Sequence, residues 1–281
     1  MTVSEIQTTK GHCVSATVYE AEVHTVLIIA SATGVKQEFY KKFAEYISSH
    51  GTTVITFDYY GIGASLSQPI KNISVTAAEW GSNDLEAVIQ WTHNYYPGAN
   101  IIVLGHSIGG QLIGLAPSAT LLKRIVLVAA QSGYWKYWPG IRKYQMWANW
   151  NLLFPVLTRV VGYMPSKKFS GMEHLPKGVA LQWGKWCSSV NYLFDDIPAA
   201  KLCYHKITAP VVAISIENDP FAPKKAVDWL TEKYNSQVFK SLHLRPYYYG
   251  VKEIGHFAIF KEKFEPTIWE LLKNELVLKY K

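Results

Sequence analysis

Cysteine is scarce in this 281-residue chain. Cys13, Cys187 and Cys203 are too few and too scattered for a disulfide framework or a metal cluster, and read as buried free thiols. His-Glu-x-x-His and Cys-x-x-Cys spacings are missing, so no zinc site and no cofactor are expected. No aliphatic run approaches the roughly 20 residues that a membrane span needs. Met1–Lys10 carries Glu5 and no apolar core. Neither a signal peptide nor integral membrane association is therefore expected, and a cytoplasmic location follows. Repeats and low-complexity segments are lacking too. Charged residues make up 17% of the chain and hydrophobic ones 49%, which excludes a disordered chain. Acids are the minority sign, 21 against 28 Lys and Arg. The bases form no dense run or known module, so nucleic acid is not an expected partner.

Against these absences stands Gly105-His106-Ser107-Ile108-Gly109-Gly110, directly after the apolar run Ile101–Leu104. The run reads as a short buried strand, and Gln111–Ala116 can continue as a helix. A serine between two glycines at a strand-to-helix junction is a nucleophile elbow. The serine backbone is strained there, so residues two positions away must lack side chains. The following helix points its first N–H groups at the serine oxygen.

A serine hydroxyl needs a base and an acid. Asp219 follows a second buried-strand pattern, Val211–Ile216, in the turn Glu217-Asn218-Asp219-Pro220. Glu217 is the rival acid, disfavoured because it still belongs to the end of the strand pattern. His256 follows the β-rich run from Val238 to Leu244 and a glycine, Gly255, and precedes the last helix. The other eight histidines lack that setting. In such a triad the histidine takes the serine proton, and the aspartate fixes its tautomer and stabilises its charge.

With these motifs the chain resembles the α/β-hydrolases over nearly its whole length. More narrowly, it is similar to a group of them from bacteria and some fungi whose substrates are unassigned. The matching segments are Ala32–Val35 with Phe39-Tyr40, Thr56–Ser65, the elbow, Leu175–Trp183, Asp219–Pro223 and Ile254–Phe257. The order Ser107, Asp219, His256 is the family's order. The resemblance implies an α/β-hydrolase fold, with a mostly parallel sheet covered by helices on both faces. It also implies an oxyanion hole built from the backbone N–H groups of Thr33, to within one residue, and Ile108. Ser31-Ala32 stands where many relatives have His-Gly. The hole uses backbone groups, so this loss need not disable it. Tyr60 stands where many have arginine.

The patterns predict strands at Val23–Ala30, Thr53–Phe57, Ile101–Leu104, Ile125–Ala129 and Val211–Ile216. Helices are predicted at Lys36–Ser49, Val75–Tyr95 and Lys224–Tyr234, and from about Pro266 onward. Antiparallel edge strands are expected within Thr8–Glu20. This alternation gives a mostly parallel sheet. It breaks between Gln131 and His205, so residues 1–130 and 206–281 are assigned to the core and 131–205 to an inserted helical cap. Six of the ten tryptophans fall in the insertion. At least half should build its own core, and the others can line an apolar or ring-accepting pocket above Ser107. The insertion holds nine Lys or Arg against three acids. This excess reads as a solvated basic face, or else steers an anionic substrate or meets an anionic membrane surface.

The expected activity is hydrolysis of a carboxylic ester or thioester through an acyl-enzyme on Ser107. The partner is a small-molecule acyl substrate, apolar or aromatic and in one reading anionic. An acyltransferase or aminopeptidase would use the same residues. A non-catalytic binding protein would need a broken triad, and all three members are present.

Overall fold

When both phases of a strand's two-residue alternation are apolar, the strand is buried on both faces. The computed structural model, which describes residues 1–21, 24–236 and 239–276, shows this for the central strands. In chain order the elements are β1 (Thr2–Gln7), β2 (Cys13–Tyr19), β3 (Thr25–Ala30), α1 (Lys41–Ser48), β4 (Thr53–Phe57), α2 (Ala77–Glu79), α3 (Glu86–Tyr95), β5 (Asn100–His106), α4 (Ile108–Leu112) and β6 (Arg124–Val128). Then follow α5 (Arg142–Ala148), α6 (Phe154–Val161), β7 (Tyr163–Met164), β8 (Leu175–Pro176), α7 (Lys177–Ser188), β9 (Val211–Ile216), α8 (Lys224–Thr231), β10 (Phe239–Leu244) and α9 (Glu270–Leu276).

Among the described residues eight strands form one sheet in the order β1-β2-β4-β3-β5-β6-β9-β10. β1 and β2 are antiparallel to their neighbours, and the rest run parallel. Val26 and Ile28 of β3, Ile101 and Val103 of β5, and Ile125 and Leu127 of β6 face one hydrophobic cluster, with Trp80, Leu85 and Val88 over them. Leu27, Ile29, Ile102, Leu104, Val126 and Val128 face the other, covered by Phe43 and Ile47 of α1 and by Trp269 and Leu272. This is the expected α/β-hydrolase architecture. A parallel sheet sends its loops to one edge, so the turns after β3, β5, β6 and β9 emerge together.

Several boundaries differ from the sequence pattern. The edge hairpin is Thr2–Gln7 with Cys13–Tyr19 rather than a pair within Thr8–Glu20. β1 is mostly exposed and carries little apolar signal. The helix expected at Lys36–Ser49 opens as a tighter turn over Gln37–Tyr40. There the Gln37 N–H donates to Asp58 Oδ1 at 2.7 Å instead of continuing a helix. The helix expected at Val75–Tyr95 starts with a Thr76–Glu79 capping box and carries a π-turn at Trp80–Leu85. The strand through Ile125 stops at Val128, because Ala129 turns to φ +48°. The helix expected to reach Tyr234 ends at Thr231. Near the C-terminus, a π-turn at Glu265–Trp269 precedes α9. Val23 and Val238, at the starts of two expected strand runs, lie outside the described residues. Cys187 and Cys203 are buried thiols as expected, whereas Cys13 is half-buried and donates to Gln7 Oε1.

The π-turn turns Asp84 inward, where it is fully buried. Its Oδ2 accepts from the Tyr60 N–H at 2.8 Å, and its Oδ1 lies 2.8 Å from His12 Nε2. The His12 ring stacks on Tyr60 at 3.9 Å. One carboxylate thus ties the edge hairpin to the loop after β4. Asp84→Ala leaves these partners buried and unpaired, so a loss of about 3 kcal/mol is expected in urea unfolding at neutral pH.

Candidate active site

Ser107 follows β5 with φ +54° and ψ −120°, a conformation that L-residues rarely adopt and that stores strain. Close backbone approach holds it there. A Cβ on Gly105 would lie 2.4 Å from the Gly110 Cα, and one on Gly109 would lie 2.1 Å from the Ala30 carbonyl oxygen. Only glycine lets α4 sit so tightly against β5 and the end of β3. The helix that follows is short. It runs from Ile108 to Leu112, tightens over Ile113–Leu115 and yields to Pro117.

Asp219 sits beyond β9 and is nearly buried. Its Oδ1 accepts from the N–H groups of Phe221 at 2.8 Å and Ala222 at 3.1 Å. Its Oδ2 lies 2.8 Å from His256 Nδ1. The imidazole therefore presents Nδ1–H to the carboxylate and leaves Nε2 free to accept a proton. Glu217, the rival acid, points elsewhere and lies 3.9 Å from Arg245. The structure thus brings Asp219 and His256 together. The Ser107 hydroxyl forms no hydrogen bond among the described residues.

The packing of Gly109 on Ala30 and Ser31 brings the loop after β3 onto the first turn of α4. Thr33 and Ile108 therefore stand on adjoining backbone. Neither N–H finds an acceptor among the described residues. Thr33 Oγ1 is likewise buried without a partner.

One buried histidine that sequence reasoning passed over connects these loops. His106 Nε2 lies 3.0 Å from the His256 carbonyl oxygen, an acceptor only, so Nε2 carries the proton. Its Nδ1 then accepts from the Tyr40 hydroxyl at 2.7 Å, whose oxygen accepts the Ala32 N–H at 3.0 Å. Burial, then the nearby His256, hold the His106 pKa well below the ordinary histidine value, against the opposing pull of the His256 carbonyl. The ring stays neutral in this tautomer. Its position beside the serine was the one signal in the sequence. Around His256 the rings of Phe257 and Phe221 stand at 4.8 and 5.4 Å, so the imidazole has an apolar wall. Phe221 is half exposed.

Residues between β6 and β9 touch the loop of Asp219, the loop after β3 and the helix α4 that follows Ser107. Trp138 Nε1 donates to the Pro220 carbonyl at 2.9 Å. The Glu173 N–H donates to the Gly34 carbonyl at 2.7 Å. The Tyr192 hydroxyl donates to Gln111 Oε1 at 2.7 Å. Helices and short helical turns alternate there with irregular backbone and the β7–β8 pair. Trp138, Trp150 and Trp186 are buried, Trp135 and Trp183 are half-buried, and Trp147 is exposed. Trp150 and Trp183 pack with Phe154 in a core within this stretch. Among the described residues no group of three or more His, Cys, Asp or Glu could hold a metal ion, and no helix is long and apolar enough to cross a membrane.

Residues 27–260 match the model of a family described as the alpha/beta hydrolase family. The chain is 26% identical over 235 residues to the Homo sapiens protein named phospholipase ABHD3, covering 76% of this chain and 55% of that protein. It thus spans about half the length of the curated relatives it matches. An esterase from Exiguobacterium antarcticum superposes with a TM-score of 0.65 at 15% identity, over 98% of this chain and 100% of that one. A soluble variant of monoglyceride lipase from Saccharomyces cerevisiae, in complex with a substrate analog, gives 0.65 at 14% identity over 98% and 95%. At these identities the structural likeness is one of fold.

The depressed pKa of His106 sets a sign for acid stability. The unfolded chain protonates this residue below about pH 6.5, while the folded chain resists. Stability from the neutral ring is complete above that pH and is lost as pH falls below it, by up to about 1.4 kcal/mol per pH unit. His106→Gln offers an amide donor to the His256 carbonyl but does not titrate. Urea unfolding from pH 7 to pH 5 should therefore show a shallower loss for the variant than for the parent. Parallel curves would remove His106 as a neutral buried link.

Proposed function

Because the chain belongs to the alpha/beta hydrolase family, we propose that this hydrolase is a serine esterase or thioesterase whose nucleophile is Ser107. The reading is carried by the buried Asp219–His256 hydrogen bond, at the sheet edge where Ser107 occupies its strained turn. The Ser107 oxygen attacks the acyl carbonyl as its proton passes to His256 Nε2. Asp219 holds the Nδ1–H and stabilises the imidazolium. The N–H groups of Thr33 and Ile108 donate to the developing oxyanion, and their lack of other acceptors supports that role. The tetrahedral intermediate collapses, and His256 returns the proton to the leaving alcohol or thiol. Water then attacks the acyl-enzyme by the same route and frees the acid and the serine.

The acyl group is apolar or aromatic in this reading. Phe221 and Phe257 beside His256 support it. The buried tryptophans of residues 131–205 are instead taken up in packing. Those residues act as a cap, a role supported by their hydrogen bonds to Pro220, Gly34 and Gln111.

Ser107→Ala should lower kcat for ester hydrolysis by about 10⁴–10⁶-fold without changing the fold. Asp219→Ala should cost about 10⁴-fold and Glu217→Ala little. More than a tenth of the parent rate in purified Ser107→Ala, or equal effects of the two acid variants, would sink the assignment. Across a series of neutral esters, each acyl methylene that enters the site should raise kcat/KM up to about fourfold, the equivalent of ~0.8 kcal/mol, until the site is full. Equal kcat/KM for acetyl and longer or aryl esters would remove the apolar acyl site.

A further inference from the structure

Residues 131–172 contain no Asp or Glu and six Lys or Arg. Within them α5, a π-turn at Asn149–Leu153 and α6 run on as one helix, closed by Gly162 at φ +88°. Twenty residues at about 1.5 Å each make a rod about 30 Å long. Its inward side is set by Trp150, Phe154 and Thr158, all buried and four residues apart. Leu152, Val156 and Val160 recur with the same spacing two residues out of phase, on the opposite side. All three are exposed, Val160 by 80%, and Ile141 just before the helix by 75%. Tyr144 and Trp147 are exposed as well.

Cations flank this apolar stripe. Arg142, Lys143 and Arg159 form no ion pair with any described residue. Lys143 lies over the Tyr144 ring at 5.1 Å. Exposed aliphatic and aromatic groups among unpaired bases, with no acid on the segment, are complementary to a surface that is apolar inside and anionic outside. They do not suit a second copy of the chain. A two-fold contact sets a patch against itself, and here it would oppose cation to cation.

We propose that the outward face of Arg142–Val161 docks the protein on an anionic lipid bilayer. The apolar stripe enters the interface while Arg142, Lys143 and Arg159 meet the headgroups. Nothing in this proposal depends on the chemistry of Ser107.

The test is flotation of the full chain, carrying Ser107→Ala so that lipid stays intact, with vesicles of phosphatidylcholine alone or mixed with phosphatidylglycerol. The expected result is binding to the mixed vesicles, release by salt, and little binding to phosphatidylcholine alone. Each cation is worth about fivefold at an anionic surface, so Arg142→Gln with Lys143→Gln and Arg159→Gln should weaken binding about 100-fold. Val156→Ser with Val160→Ser should weaken it about tenfold per side chain. Both sets lie on the surface and should keep the parent melting temperature. Failure of the parent to float with mixed vesicles overturns the proposal, as does unchanged binding by both variants. A dimer in sedimentation that the two serine substitutions split into monomers also overturns it, because a second copy would then cover the face.

Discussion

The loops at the edge of the sheet are held in common by two hydrogen bonds to one imidazole. His106 is the last residue of β5, directly before Ser107. It holds the His256 carbonyl through one nitrogen and reaches Ala32 through Tyr40 with the other. Protonation at Nδ1 would turn the acceptor of the Tyr40 hydroxyl into a second donor, which gives the burial of the ring a purpose. Depth keeps the ring neutral, and neutrality keeps one nitrogen a donor and the other an acceptor. The backbone of the elbow, the loop after β3 and the loop of His256 are thereby fixed relative to one another.

The residues proposed to carry the chemistry are legible because each stands at a junction with its own punctuation. Ser107 has glycines on either side, Asp219 precedes a proline, and His256 follows a glycine at φ +74°. Strand positions were legible for a related reason, since strands buried on both faces read as unbroken apolar runs. The helices were less so. Gln37 spends its N–H on Asp58, seventeen residues past the start of α1 along the chain and outside any local window. The π-turn at Trp80–Leu85 buries Trp80, Asn83 and Asp84 together, and no three-to-four residue periodicity announces it. Tyr40 and His106 fall in segments that the sequence singles out, but nothing there announces their link. Their roles exist only once β3, β5 and the His256 loop are neighbours, and that is tertiary information.

The insertion illustrates the same division. Its tryptophan content was visible, and the structure apportions the rings. Trp150, Trp183 and Phe154 form a small core of their own, while Trp138 turns its N–H to the loop of Asp219. The wall beside His256 comes from Phe221 and Phe257, on the same loops as Asp219 and His256 themselves. A reading based on counts of aromatic residues favours the segment that is richest in them. Geometry favours the segments nearest the reacting groups.

β6 and β9 are hydrogen-bonded neighbours, with Ile125 opposite Val211 and Val128 opposite Ile214. The sheet therefore closes directly across the point where the chain departs for the insertion. A parallel pair needs a crossover of a dozen or more residues, and it is indifferent to what that crossover contains. The segment proposed to meet a membrane therefore lies outside the strands whose register sets the elbow, so the proposed reaction and the proposed address occupy different passages of a single polypeptide.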